Sequence, residues 1–266
     1  MNPLRSALDS ARHANRSTFV PFLTAGDPNL AATLEYVDAL VDGGADVLEL
    51  GIPFSDPLAD GPVIQRATER ALAAGTTARD VLATVEKLRA RHDIPVVLMT
   101  YLNPVLRYGW DAFRRDAAAA GASGLILTDV PPEEADPFLP GARESSLGTV
   151  FLAAPTSDPA RVRRAAEIST GFVYCVSRLG VTGTRDDLSD AFRPVLESIR
   201  AAADVPVGLG FGISTPEHAA RAAALADAVI VGSRLVRVAE EAGGDAARRL
   251  QAEARAFKQA ITEARA

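Results

Sequence analysis

The chain reads as an α/β protein, a closed (β/α)8 barrel with one extra helix at its N-terminus. Three observations predict this. Short apolar runs rich in β-branched residues alternate with longer runs of Ala, Leu, Arg and Glu along the 266 residues. Eight apolar runs occur, which suits the roughly 250 residues of an eight-unit barrel. Small-residue turns follow the last three runs, where phosphate-binding barrels gather their ligand. An open doubly wound sheet is the alternative.

In chain order, residues 2–14 read as a helix able to cap the barrel floor. Strands are expected at 18–25 (TFVPFLTA), 46–51 (DVLELG), 95–101 (PVVLMTY) and 124–129 (GLILTD). Four more follow at 149–154 (TVFLAA), 171–177 (GFVYCVS), 206–212 (PVGLGFG) and 228–232 (AVIVG). Helical patterns lie between them, at 30–45, 63–75, 78–92, 110–122, 133–147, 158–169, 188–203 and 216–226. Two more, at 233–243 and 245–266, end the chain. Many stop at Gly or a polar residue just before the next strand, as helix C-caps do. Strands joined by a helix pair in parallel. No linker rich in Gly or Ser divides the chain, so residues 1–266 are expected to form one domain.

The composition, 48% hydrophobic and 23% charged, supports a large core and argues against disorder. A net charge of −6 without a basic cluster argues against nucleic acid. It leaves room for an anionic small ligand, because backbone amides bind phosphate without a basic patch. The single cysteine, Cys175, excludes a disulfide within the chain and reads as a small buried hydrophobe. The first residues lack a signal-peptide core, and no apolar run nears the roughly 20 residues of a membrane span. A soluble, cytoplasmic protein is expected.

The second strand runs into ELGIPFSDPLADGP, residues 49–62, which crowds Glu49, Asp56 and Asp60 around Pro53, Pro57 and Pro62. Strand alternation puts Leu48 and Leu50 under the helices, and Val47 and Glu49 inside the barrel. A carboxylate there is desolvated, and its pKa should rise toward the range useful for proton transfer. A structural Glu paired with Arg or with a backbone amide is the alternative. The prolines stiffen the loop, while Gly51 and Gly61 let it turn. Such a loop can carry Asp60 over the mouth opposite Glu49, so that two carboxylates in unlike environments divide acid and base roles. An N-cap for the following helix is the other use of Asp56 or Asp60.

The turns RLGVTG (178–183), GFGIS (210–214) and GSRL (232–235) could hold phosphate through backbone amides. Parity puts Phe172, Tyr174, Phe22, Tyr101 and Leu127 inside, with Val173 and Cys175 outside. His13, His92 and His218 all fall in helices or at their ends, so neither a catalytic His nor a metal is expected. Lys87 and Lys258 also lie in helical patterns.

FVPFLTAGDP, LELGIPFSDPLADGP, LMTYLNPVLRYG, SRLGVTG and GFGIS occur here in order. Together they resemble the tryptophan synthase alpha subunit family, over roughly residues 4–262. The resemblance implies retro-aldol cleavage of indole-3-glycerol phosphate to indole and glyceraldehyde 3-phosphate. It implies Glu49 as the general acid and base, and Asp60 as the carboxylate that holds the indole N–H. Phosphate would be held at Gly183, Gly212, Gly232 and Ser233. Phe22, Tyr174 and Phe211 would surround the indole and glycerol parts, and Thr182 would belong to a loop that bonds Asp60 and closes the site. No cofactor is implied on this subunit. The family docks on a pyridoxal-phosphate beta subunit in an alpha-beta-beta-alpha heterotetramer, with Pro53 and Asp56 in the loop facing that partner.

Two residues depart from the usual family pattern. Arg234 follows the phosphate Ser and is expected to point to solvent. Leu102 could alter the interface or the pocket wall. A phosphate-binding isomerase or synthase barrel of the same pathway would explain the late glycines but not the proline loop. A ligand-binding activator subunit is the non-enzymatic alternative.

Overall fold

The structure is a computed structural model. It describes residues 2–176, 185–210 and 212–265, with residues 185–191 described by their backbone. The first half contains α1 (Pro3–His13), β1 (Thr18–Thr24), α2 (Leu30–Asp42), β2 (Leu48–Gly51), α3 (Pro62–Ala73) and α4 (Ala78–Arg89). Next come β3 (Val96–Thr100), α5 (Leu102–Tyr108), α6 (Trp110–Ala119), β4 (Gly124–Leu127), a 3-10 turn at Pro132–Glu134 and α7 (Leu139–Glu144). The second half holds β5 (Gly148–Thr149), β6 (Phe151–Ala153), α8 (Pro159–Ile168), β7 (Val173–Val176), α9 (Arg185–Ala202) and β8 (Val207–Gly210). It ends with α10 (Pro216–Ala223), β9 (Ala228–Val231), α11 (Ser233–Ala242), a 3-10 turn at Gly243–Asp245 and α12 (Ala246–Glu263).

All strand pairings are parallel, in the order β5-β4-β3-β2-β1-β9-β8-β7-β6. The two edges of that order are consecutive pieces of one extended segment. β5 pairs with β4, β6 pairs with β7, and only Val150 separates them. The fifth barrel strand therefore splits its bonding between its two neighbours and closes the sheet. The outcome is the eight-unit barrel that the alternation predicts, not the open sheet.

Two apolar layers sit on the two faces of the strands. Leu48, Leu50, Val173 and Cys175 pack outward against the helices. Val20, Val47, Val97, Ile126, Phe172 and Tyr174 fill the interior. Leu127 is a correction: it packs in the outer layer, and its neighbours Ile126 and Thr128 face inward. A strand buried on both faces is apolar on both, so composition does not write its phase.

α1 closes the floor. Asn2 accepts a bond from Arg5 N at 3.2 Å as the N-cap, and its Nδ2 donates to Ser123 O at 2.7 Å. Leu4 and Leu8, fully buried, extend the interior layer from below. The floor is narrow: a Cβ on Gly124 or Gly171 would come within 2.8 Å of Leu4 Cδ2.

Of three local differences from the sequence reading, two have simple causes. α5 is an additional helix, tolerated because Pro104 is its third residue, where the missing N–H has no partner within the helix. The helix expected over 133–147 is a 3-10 turn and the six-residue α7, because Pro137 and Pro140 interrupt it. α9 begins at Arg185 and runs through Pro194.

Candidate active site

The mouth, at the C-terminal ends of the strands, holds a cavity of about 690 Å³. Glu49, Asp60, Phe22, Tyr174, Gly212, Gly232 and Ser233 all line it. Ile64, Met99, Leu152 and Ile230 supply apolar wall. Thr182, Gly183 and Phe211 lie outside the described residues.

Glu49 stands in the middle of β2, level with Phe22 of β1 and Val97 of β3. It is 1% exposed, and its Oε2 has no hydrogen-bond partner among the described residues. Among the described residues neither an Arg nor a backbone amide pairs with it, which weakens the structural alternative. Burial, and then the charge of Asp60, push its pKa up to about 8. At neutral pH Glu49 is mostly the protonated acid.

Asp60 arrives on the proline loop. Asp60 N donates to Pro57 O at 3.0 Å, Gln65 Nε2 donates to Asp60 O at 2.9 Å, and Ala59 N donates to the Tyr101 hydroxyl at 3.0 Å. These bonds fix the loop against β3 and the start of α3. Gly61, not Asp60, is the N-cap of α3, and no side chain caps that helix. Asp60 is half-buried. Desolvation raises its pKa to about 6, while a hydrogen bond from Tyr101 pulls it down. Tyr101 in turn is raised, by burial first and then by Asp60. Sequence parity placed Tyr101 inside the barrel, but not beside Asp60. That neighbour follows from the path of the loop.

Phe22 and Tyr174 form the aromatic walls. A Cβ at Gly51 would approach Phe22 Cζ to 2.9 Å, so glycine there lets the ring lie flat over the strand. Tyr174 is buried, and burial with the nearby Glu49 and Asp60 charges raises its phenol well above its ordinary value.

At the same cavity, α11 follows β9 with Gly232 as its N-cap and no side-chain cap. Its first N–H groups are thus without intrahelical partners and available to an anion at the cavity wall. Gly212, at φ +73, occupies the left-handed region and lines the same cavity. Arg234 corrects the expectation of a solvent-facing side chain. Its Nη2 donates to Glu253 Oε1, its Nε donates to Glu253 Oε2 at 3.2 Å, and the residue lines the cavity. Arg237 and Thr128 also line the cavity and were missed in the sequence. For Arg237 the available signal was its spacing of one helical turn from Ser233.

Other candidates lie apart from the cavity. Asp56 is exposed and accepts a bond from Ser55 Oγ at 2.6 Å. Pro53 is buried within the chain, while Leu58 between it and Asp60 is 93% exposed. Leu102 opens α5, with its N–H donated to Asp129 Oδ1 at 2.7 Å. Cys175 is buried on the outer side of β7, its thiol pushed up to about 12. His92 bonds Asp38 and His13 bonds a backbone carbonyl, both away from the mouth. Among the described residues no three His, Cys, Asp or Glu side chains gather as a metal ion requires. Nor is any described helix long and apolar enough to cross a membrane.

A protonated buried acid, a second carboxylate and an uncapped helix N-terminus around one apolar cavity define an acid–base barrel enzyme for an aromatic, anionic substrate. The comparisons specify the family. The model described as "Tryptophan synthase alpha chain" matches residues 8–264. The chain is 51% identical to the tryptophan synthase alpha chain of Solibacter usitatus, over 95% of each chain. It is 48% identical to that of Geobacter sulfurreducens, over 90% of this chain and 91% of the other. The crystal structure of the alpha subunit from Legionella pneumophila superposes with a TM-score of 0.91 at 40% identity, covering 98% of both chains. A tryptophan synthase structure from M. tuberculosis gives 0.88 at 41% identity, covering 98% of this chain and all of that one. The chain belongs to the tryptophan synthase alpha chain family. It is a lyase of tryptophan biosynthesis, cleaving indole-3-glycerol phosphate.

Proposed function

We propose that Glu49 and Asp60 carry this cleavage between them. The observation behind the reading is the buried Glu49, its Oε2 without a partner among the described residues and its pKa raised to about 8, in one cavity with Asp60 near 6. Protonated Glu49 gives its proton to C3 of the indole ring, making the ring an electron sink. The resulting carboxylate takes the proton of the side-chain hydroxyl next to the ring. The C–C electron pair then returns to the ring, and the hydroxyl carbon becomes the aldehyde. Glu49 ends protonated, as it began. Asp60 in its ionised form accepts the indole N–H and stabilises the cationic ring between the two steps. Phe22 and Tyr174 hold the ring. The amides at Gly212 and Gly232, with Ser233, hold phosphate. Thr182, Gly183 and Phe211 join this set by the family resemblance.

This sequence of proton transfers uses only side chains of the chain and needs no cofactor on it. Family membership supports a beta subunit as partner, in an alpha-beta-beta-alpha heterotetramer, with pyridoxal phosphate on that partner. The exposed Asp56 and Leu58 tip of the proline loop supports a docking role for the loop that Pro53 begins. The biosynthetic role of the family supports a cytoplasmic location.

The test is indole release from indole-3-glycerol phosphate by the purified chain, wild type and Glu49→Gln, with and without a beta subunit. Release by wild type, its loss in Glu49→Gln and a faster rate with the partner support the reading. An inert wild type with the partner present overturns it.

A further inference from the structure

We propose that Arg237 is a specificity-determining residue for the phosphate end of the substrate. The proposal rests on the reading that phosphate binds at Gly232 and Ser233. Two cations line the cavity, Arg234 and Arg237. Arg234 is committed to Glu253 on α12. Arg237 is exposed and forms no ion pair among the described residues. It lies four residues after Ser233, so both share one face of α11. Side chains on a helix lean toward its N-terminus, which directs Arg237 back over the Gly232–Ser233 end.

The charge balance gives this position a purpose. The cavity also holds the carboxylate of Asp60, and the whole chain carries −6. A phosphate dianion entering the mouth meets a field of its own sign. The amides at the start of α11 offer partial charge only. Arg237 adds one full positive charge with a forked donor set suited to phosphate oxygens. Its exposure at the rim places it on the entry side, so it acts on capture and binding. The reacting bond lies with Glu49 and Asp60, away from it.

The experiment measures KM and kcat for indole-3-glycerol phosphate, and Ki for inorganic phosphate, with the full chain and its beta subunit at low and high salt. Arg237→Gln is expected to raise KM and Ki together by about five- to tenfold, with kcat within about twofold of wild type. Arg237→Lys should recover much of that loss, and the salt dependence of KM should flatten in Arg237→Gln. Values of KM and Ki within twofold of wild type in Arg237→Gln would overturn the proposal. So would a fall in kcat with KM unchanged. If wild type releases no indole, the lyase reading fails. Calorimetric titration with inorganic phosphate then decides the role of Arg237 separately: weaker binding by Arg237→Gln supports it, and equal binding overturns it.

Discussion

Asp46 and Glu49 lie three residues apart on either side of the start of β2, and their surroundings are opposite. At the floor, Asp46 accepts from Phe19 N at 2.7 Å and from Lys258 Nζ at 2.6 Å. Nearby, Asp227 accepts from Val207 N at 2.9 Å, and Ser17 Oγ donates to Ala226 O at 2.6 Å. Inside the floor, Leu4 packs against Gly124 and Gly171. At the mouth, Glu49 has a buried oxygen with no partner among the described residues, and Asp60 has one phenol against its desolvation. The floor uses carboxylates to tie strands and helices together. The mouth holds carboxylates in a state that folding alone does not favour. Such strain persists where a binding or chemical use outweighs it.

The sharpest way to break the comparison is Glu49→Gln. It keeps the shape and removes the proton donor, so kcat/KM should fall by at least about a thousandfold with the fold intact. Steady-state indole release and a circular dichroism spectrum check both halves. Leu4→Ala is the matching change at the floor. It should cost about 2–4 kcal/mol of stability in denaturant unfolding and leave kcat within about twofold at 25 °C. A large rate loss in a folded Leu4→Ala protein would show that the two ends are not separable.

A third outcome links the two ends by pH. Glu49 goes from an ordinary carboxyl near 4.5 when unfolded to about 8 when folded. Between those values the folded state binds more protons than the unfolded one, so the Glu49 contribution to stability falls as pH rises through that window. Glu49→Gln should therefore be more stable than wild type by ~5 kcal/mol at pH 9 and nearly equal to it at pH 4. Urea unfolding at the two pH values reads this difference, and equal curves at pH 9 would contradict the burial argument.

The smallest effect concerns Asp60. The form that the proposed mechanism requires, protonated Glu49 with ionised Asp60, is populated between about 6 and about 8. The profile of kcat/KM against pH should be bell-shaped with those limbs. Tyr101 donates to Asp60 and lowers its pKa. Tyr101→Phe should then move the acidic limb up by about half a pH unit and leave the basic limb in place.

Much of this site was readable in the chain, for reasons that differ residue by residue. Glu49 was readable because Leu48 and Leu50 bracket it and a strand alternates its faces. Leu127 was not, because Leu125 through Leu127 are apolar without a break and carry no phase. α5 was hidden by Pro104, which breaks a helix in its middle and is harmless in its first turn. The partner of Arg234 was hidden because Glu253 is brought near only when α12 packs against α11. Arg237 had a signal in its spacing from Ser233, but only the cavity gives that spacing a meaning.

The sequence by itself determined the barrel, the strand that carries Glu49 and the stiff loop that carries Asp60. Those features depend on local pattern: alternation, strand and helix lengths, and the backbone limits of proline and glycine. Only the tertiary structure decided which carboxylates are neutralised and which are not. Solvation and pairing depend on neighbours brought together across the whole chain. Asp46 meets Lys258 across 212 residues, and Glu49 Oε2 meets no hydrogen-bond partner among the described residues.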